Sequence, residues 1–333
     1  MKNAVGLILN VDGEDDSLKD FLQHRSLSTL PFGTGKEWSL SRKTQDLSIL
    51  SGSNNYHIGR LIKVNLRNLQ NNRGFLDATG AEHILIATPN LVTTFDFKNA
   101  YDIHLKNDSD ITLIFKKDDP LYHLKDNDLY LEFTRNRVSG LHYKREHTTG
   151  HFFTEMFFVK KSVLEELLDL SERTGDWDLM DMIKYNIDTL RVFGAQHTGY
   201  IKRVNCLENY MKTSMDLLEY EIMQELFLGK NSIHTKIKDN HPTLYNDPAQ
   251  VSNSIVGSGC IIDGTINHSI IFRDTQMNVD SHIQNSIIMQ RCEIGRNVNL
   301  NYVVMDKDTK ISDHTTLVGK PHAPIVLKKG TVI

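Results

Sequence analysis

A short pattern repeats along the C-terminal end of the chain: Asn253-Ser254-Ile255-Val256 returns as His268-Ser269-Ile270-Ile271, Asn285-Ser286-Ile287-Ile288 and Asn301-Tyr302-Val303-Val304. The starts lie 15, 17 and 16 residues apart (268−253, 285−268, 301−285). Between them, β-branched pairs alternate with Gly, Asn and Asp, as in Ile294-Gly295-Arg296-Asn297, which is how a chain turns sharply between short strands. A unit this short cannot bury an apolar face alone, so successive units must stack and share backbone hydrogen bonds. The repeat therefore predicts a β-solenoid over 251–333. A β-sandwich with coincidental spacing fits less well, because four registers carry the same polar, small, aliphatic order.

The remainder is long enough for a second domain. With 333 residues, 39% hydrophobic and 24% charged, the chain has an ordinary globular balance, and a net charge of −4 gives no basic field for nucleic acid. The pairs Lys116-Lys117, Lys160-Lys161 and Lys328-Lys329 read as solvated faces. Three scattered cysteines, Cys206, Cys260 and Cys292, match neither a zinc spacing nor a disulfide framework, and the last two fall inside coils as small packed residues. The apolar run Ala4 to Leu9 is too short for a signal core and leads into Asp12, Glu14, Asp15 and Asp16. A cytoplasmic protein with no membrane segment is expected.

Val5 to Leu9 reads as a buried first strand, 61–76 has helical spacing, and His83 to Thr88 is a strand that stops at Pro89. A helix over Lys98 to Lys106 and a strand over Ile111 to Phe115 follow, which makes a βαβ unit and implies a parallel sheet. Ligands of such sheets sit beyond the carboxyl ends of the strands, so Thr88-Pro89-Asn90-Leu91 is where chemistry is sought. Phe152 to Val159 predicts a strand, and Ser162 to Leu170 a helix with Ser162 as N-cap and Glu165 at N3. Leu179 to Tyr185 predicts another helix, Tyr200 to Val204 a strand and Leu207 to Phe227 one long helix. The Gly-, Pro- and Asn-containing stretch 229–250 reads as a linker.

An α/β domain followed by a solenoid of short coils resembles the sugar-phosphate nucleotidyltransferases. The string Asp96-Phe97, His104, Asp110-Ile111-Thr112 is similar to the segment those enzymes carry after their metal-binding loop, and Pro31-Phe32-Gly33 resembles the corresponding motif of glucose-1-phosphate adenylyltransferases. Gly35-Lys36-Glu37-Trp38 with Arg42-Lys43, and Asn253 to Gly257 with Gly264, resemble the non-catalytic, D-type subunit family of bacterial ADP-glucose pyrophosphorylase. The resemblance implies a Rossmann-like nucleotidyltransferase domain with a mostly parallel sheet over 1–228 and a left-handed parallel β-helix of hexapeptide type over 251–333. It also implies the family reaction, in which ATP and glucose 1-phosphate give ADP-glucose and pyrophosphate.

That reaction needs phosphates positioned and charge neutralised, by Mg²⁺ on carboxylates and by basic side chains. Where the family has a glycine-rich phosphate loop, this chain reads Asn10-Val11-Asp12-Gly13-Glu14-Asp15-Asp16, with one glycine and four acids that oppose a polyanion. The two metal carboxylates align with Asn90, a neutral oxygen, and with Arg203 in Ile201-Lys202-Arg203-Val204-Asn205, a charge of the wrong sign. The plainer reading of Arg203 is an exposed arginine flanking a helix. The sugar-phosphate lysine motif has no counterpart, although Lys144 or Arg145 stand nearby, and Gly33 runs directly into Thr34-Gly35-Lys36, so about thirty residues or more of a family segment are missing.

The expectation is therefore a regulatory or scaffolding subunit in glycogen biosynthesis, with little or no activity alone, that modulates a catalytic homologue in a hetero-oligomer, expected as a tetramer. No catalytic residue and no metal are expected in this chain; Mg²⁺ would belong to the catalytic partner. Asn10, Gly13, Pro31, Phe32, Gly33 and Asn90 form the candidate vestigial nucleotide or sugar-phosphate site, and Lys36, Arg42, Lys43 and Arg60 the candidate site for a sugar-phosphate or nucleotide effector. The alternatives are a weakly active adenylyltransferase and a hexapeptide-solenoid acyltransferase using His268, His282 or His314 as base.

Overall fold

The computed structural model describes residues 81–87, 91–117, 128–143, 150–175, 178–204, 206–229, 233 and 239–333, together with the backbone of five earlier strand segments and the helical residues Gln70 and Arg73. Among the described residues, one compact unit ends at Arg203. The other runs from Val204 to Ile333 and includes the short strands Pro31–Phe32 and Lys36–Glu37.

The strands of the first unit are β1 (Ala4–Asn10), β4 (Ser48–Ile49), β5 (Ile62–Lys63), β6 (His83–Ala87), β7 (Leu91–Thr93), β8 (Ile111–Lys117), β9 (Leu129–Thr134), β10 (Arg137–Tyr143), β11 (His151–Lys160), β12 (Val192–Gln196) and β13 (Ile201–Arg203); β2 and β3 are the pair at Pro31–Phe32 and Lys36–Glu37. Its helices are α1 (Phe97–Lys106), α2 (Lys161–Thr174) and α3 (Leu179–Tyr185). The main sheet has the order β4-β1-β6-β11-β8-β12-β10-β9, with β5 also on β1. As expected from an α/β chain, β1, β6, β8 and β12 all run one way. The crossover through α1 does not join neighbours, however. β11 lies antiparallel between β6 and β8, pairing Phe157 with both Ile86 and Leu113, so the sheet is mixed. Its sequence explains the central place: Phe152, Phe153, Met156, Phe157, Phe158 and Val159 are buried on both faces, and a strand apolar on both sides belongs in a sheet interior.

One core forms where Ile84, Ile86, Ile111 and Leu113 of the sheet meet Leu164, Leu167 and Leu168 of α2 and Met182 and Ile183 of α3. Each such side chain contributes about 1.5–3 kcal/mol by leaving water. α2 begins one residue before the expected Ser162 cap: Lys160 is its N-cap without a side-chain cap bond, because Lys160 still belongs to β11 and its ammonium is engaged 2.7 Å from Asp108. Asp178 does cap α3, accepting from the N–H groups of Met180 and Asp181. Within 61–76, Ile62–Lys63 is a strand on β1 rather than helix, since Leu61, Ile62 and Val64 form a β-prone run; Gln70 and Arg73 are helical.

In the second unit the expected long helix is broken into α4 (Leu207–Met215), a 3₁₀ turn at Asp216–Leu218 and α5 (Tyr220–Phe227). Glu219 is extended there, with φ −77° and ψ 118°, which interrupts the helical path while Leu217 is buried. The solenoid consists of three parallel sheets of five strands each. Its first rung already includes Leu244–Tyr245, inside the stretch read as linker, and continues with Gln250–Ser252 at the expected boundary. Ile266, Ile283 and Leu300 stack down one inner face and Ile271 and Ile288 down another.

Serines staple the coils: Ser254 Oγ accepts from Ser269 N, Ser269 Oγ from Ser286 N, and Ser286 Oγ from Val303 N, each at 3.1 Å. The corner before each serine is left-handed, with φ 40°, 46° and 47° at Asn253, His268 and Asn285. Asparagine tolerates that region better than most residues, which accounts for the polar first position of the repeat. The fourth corner is Tyr302, at φ 52°, and Ile287 pairs with Val304, so the true fourth register is Tyr302-Val303-Val304-Met305. It starts one residue later than the sequence pattern indicates, because Asn301 imitates the corner residue.

Candidate functional site

β7 and β13 form a two-stranded antiparallel ribbon that pairs Thr93 with Ile201, Val92 with Lys202 and Leu91 with Arg203. His197 anchors it. This buried ring sits with Nε2 3.2 Å from Thr93 Oγ1 and 3.1 Å from the Tyr200 carbonyl, while its backbone N–H donates to Phe115 at the end of β8. Lys116 Nζ donates to the Gly199 carbonyl at 2.5 Å and fixes the same turn. The ribbon register thus places Arg203 opposite Leu91.

Arg203 is buried, at 7% exposure, which sets aside the alternative of an exposed arginine flanking a helix. Its Nη1 donates to Asp128 Oδ1, its Nη2 lies 3.0 Å from Glu155 Oε1, and its guanidinium carbon stands 5.4 Å from the centre of the Phe152 ring. Asp128, equally buried, immediately precedes β9, and β9 reaches β11 through the pair Tyr130 and Phe152. Glu155 lies in β11 where the register with β8 slips between Phe153 and Phe157, and its φ is 59°. Burying Arg203 and Asp128 costs several kcal/mol per ion unless each meets an opposite charge, and here they meet each other, with the half-buried Glu155 beside the guanidinium. Magnesium, which the resemblance implies at this position, requires a shell of oxygens; a guanidinium in the ligand position does not fit that ion. Among the described residues, no group of three or more His, Cys, Asp or Glu side chains could hold a metal.

The family-like string proves to be scaffold. Asp96 caps α1 by accepting from Asn99 N, and Phe97 is buried. His104, wholly buried, bonds Thr112 Oγ1 through Nδ1 at 2.8 Å and faces His83 Nδ1 at 3.1 Å; burial pushes its pKa down to about 3. Burial would raise the Asp110 carboxyl, but the Arg191 side chain and backbone N–H, with Lys160, outweigh it and hold the group at about 2.

Of the other candidate positions, Asn10 ends β1, whose Ile8 pairs with Ala87, so the chain leaves β1 and β6 at the same sheet edge. Pro31 and Phe32 pair with Glu37 and Lys36 in a short ladder. Gly13, Gly33, Arg42, Lys43, Arg60, Asn90, Lys144 and Arg145 lie outside the described residues. In the solenoid, His268 bonds Asn285 and His314 bonds Asn297, both at 2.9 Å, as corner residues, and His282 is exposed on an outer face. Cys260 and Cys292 are buried as expected, donating to the carbonyls of Phe272 and Asp306. Asp128, Glu155 and Phe152 are the site residues that sequence reasoning passes over; Asp128 is 75 residues from its partner, and no local spacing marks the pair.

Residues 241–323 match the family model described as GlmU-like, C-terminal hexapeptide. The chain is similar to the glycogen biosynthesis protein GlgD of Bacillus subtilis, 26% identical over 97% of this chain and 84% of that protein. It is 28% identical to GlgD of Geobacillus stearothermophilus over 77% of this chain and 64% of that protein. It is 22% identical to the glucose-1-phosphate adenylyltransferase of Thermosipho melanesiensis over 74% of this chain, which spans 60% of that enzyme's length.

Proposed function

We propose that this chain is a regulatory or scaffolding subunit of a glucose-1-phosphate adenylyltransferase in glycogen biosynthesis, with little or no turnover of its own. The observation that carries the reading is Arg203, buried between Asp128 and Glu155 where the related enzymes place a metal carboxylate. Similarity to two GlgD proteins over most of the chain supports the same assignment. In this reading the catalytic homologue holds Mg²⁺ and performs the transfer, and this chain joins it in a cytoplasmic hetero-oligomer, taken to be a tetramer. By the family resemblance, Asn10, Gly13, Pro31, Phe32, Gly33 and Asn90 are candidates for a vestigial nucleotide or sugar-phosphate site, and Lys36, Arg42, Lys43 and Arg60 are effector candidates. Regulation then means that a ligand or contact here favours one state of the assembly over another.

The test is a coupled assay for pyrophosphate release from ATP and glucose 1-phosphate with Mg²⁺. The purified chain alone should give no turnover, and adding it to the catalytic homologue should change kcat or the effector response. Robust turnover by the isolated chain, or a catalytic homologue unaffected at saturating chain, would sink the proposal.

A further inference from the structure

We infer that one outer face of the solenoid binds a neutral α-glucan chain. The face belongs to the sheet built from Gln250–Ser252, Thr265–Asn267, His282–Gln284, Asn299–Asn301 and Thr316–Val318, stacked in parallel and in register. Ile266, Ile283 and Leu300, the middle residues of the three inner strands, point into the core, so the first and third residues of each strand point outward. On those three strands they are Thr265 and Asn267, His282 and Gln284, and Asn299 and Asn301. The choice of a glucan among neutral polymers rests on the glycogen reading above, whereas the chemistry of the face does not.

The first support is charge. None of the ten outward positions, two on each of five strands, is Asp, Glu, Lys or Arg. A soluble surface carries roughly a quarter to a third charged residues, so about three would be expected there. The other two faces differ. One presents Glu293 and Lys310, paired at 2.7 Å, and on the other the outward Ile270, Ile287 and Val304 are fully buried. A face without cations has no hold on phosphate polymers or anionic lipid, and one without an apolar or aromatic centre makes a poor protein interface. Neutral hydroxyls are the partner that amides and hydroxyls match, since both sides donate and accept.

The second support is availability. His282, Gln284 and Asn299 are exposed at the centre of the face, and among the described residues Asn301 is the one of the six whose side chain bonds another, accepting from Asn285 Nδ2 at 3.0 Å. The remaining donors and acceptors face water, and neutral groups give up water at far less cost than charged ones. The third support is repetition. Neighbouring strands stand about 4.8 Å apart, so a polymer of identical sugars can repeat one modest contact on successive rungs. Linked contacts of this kind raise affinity although no single one is strong.

The test is affinity electrophoresis of the full chain in native gels cast with and without glycogen, read against a marker protein that does not bind it. Glycogen should slow the wild-type chain, and the dissociation constant from a glycogen titration should hold at about 0.5 M salt, because no ion pair is involved. His282→Ala, Gln284→Ala and Asn299→Ala combined should weaken binding about tenfold with unchanged thermal unfolding, since exposed side chains without partners add little stability. Gln284→Glu, a single change of similar size that sets a charge on the face, should weaken it as well. Gln276→Ala, Glu293→Ala and Lys310→Ala combined, on the neighbouring face, should leave binding as it was. A wild-type chain that glycogen does not retard, retardation that salt abolishes, or equal binding by wild type and both variants of the neutral face overturns the inference. Because the readout is glycogen retention and not pyrophosphate release, the inference can fail while the subunit assignment stands, and the reverse.

Discussion

Replacing His104 by glutamine should remove a defined part of the acid sensitivity of the α/β unit. His104 is wholly buried against Thr112 and His83, and burial holds its pKa at about 3 in the folded chain against 6.5 for the free side chain. The folded pKa is depressed, so the unfolded chain binds the extra proton first. The stabilisation is complete above pH 6.5 and is lost as pH falls from 6.5 towards 3. At pH 4.5, two units below the ordinary value, the linkage amounts to about 2.7 kcal/mol. Glutamine can keep a hydrogen bond to Thr112 and cannot titrate, and the carboxylates common to both proteins cancel in the comparison. Urea titrations at pH 7.5 and 4.5, with an m-value of about 3 kcal/mol per molar, should show wild type losing about 0.9 M more in midpoint than His104→Gln over that interval. His83 is shifted in the same direction by burial, so part of the dependence remains in the variant. Midpoints that fall in parallel would refute the buried neutral pair.

Asp110→Asn should cost about 1.5–3 kcal/mol at pH 7, because it removes an acceptor that ties Arg191 and Lys160 across three strand ends. That stability is present above the ordinary carboxyl pKa and lost as pH falls towards about 2, so the variant and wild type should converge in acid when followed by circular dichroism. Burial pushes the Cys292 thiol up to about 12, so native protein should leave it unreactive to a disulfide reagent at pH 8 until denaturant is added. Cys292→Thr should unfold within about 1 kcal/mol of wild type, since Thr275 and Thr309 already make the same cross-coil bonds. Gly264→Ala should destabilise the solenoid by about 1–3 kcal/mol in thermal unfolding, because a methyl group there would collide with the Ser281 carbonyl and the end of Met277.

Local periodicity carries the solenoid and most elements of the α/β unit, and it carries them because the signal lies within a few residues. Leu179–Tyr185 is legible from its apolar spacing and the capping Asp178. The antiparallel place of β11 is not, because pairing Phe157 with both Ile86 and Leu113 depends on partners far along the chain. The fourth coil was open to misreading for the opposite reason: Asn301 is locally the better corner residue, and only the cross-coil pairing of Val304 with Ile287 decides for Tyr302. At the candidate site, Arg203 is visible in sequence as a missing carboxylate, while its surroundings depend on Asp128, just before β9, and Glu155 in β11, both far along the chain from it.

The serine staples and left-handed corners also restrict how the C-terminal unit can change length. Each corner lies directly over the next, and each Ser Oγ serves the backbone of the coil below, so a single inserted residue would throw every column beneath it out of line. Insertion or removal of a whole coil would leave all columns intact. Natural variation in this unit should therefore come in steps of one turn, and a tag or loop is accommodated at a corner far more readily than within a rung.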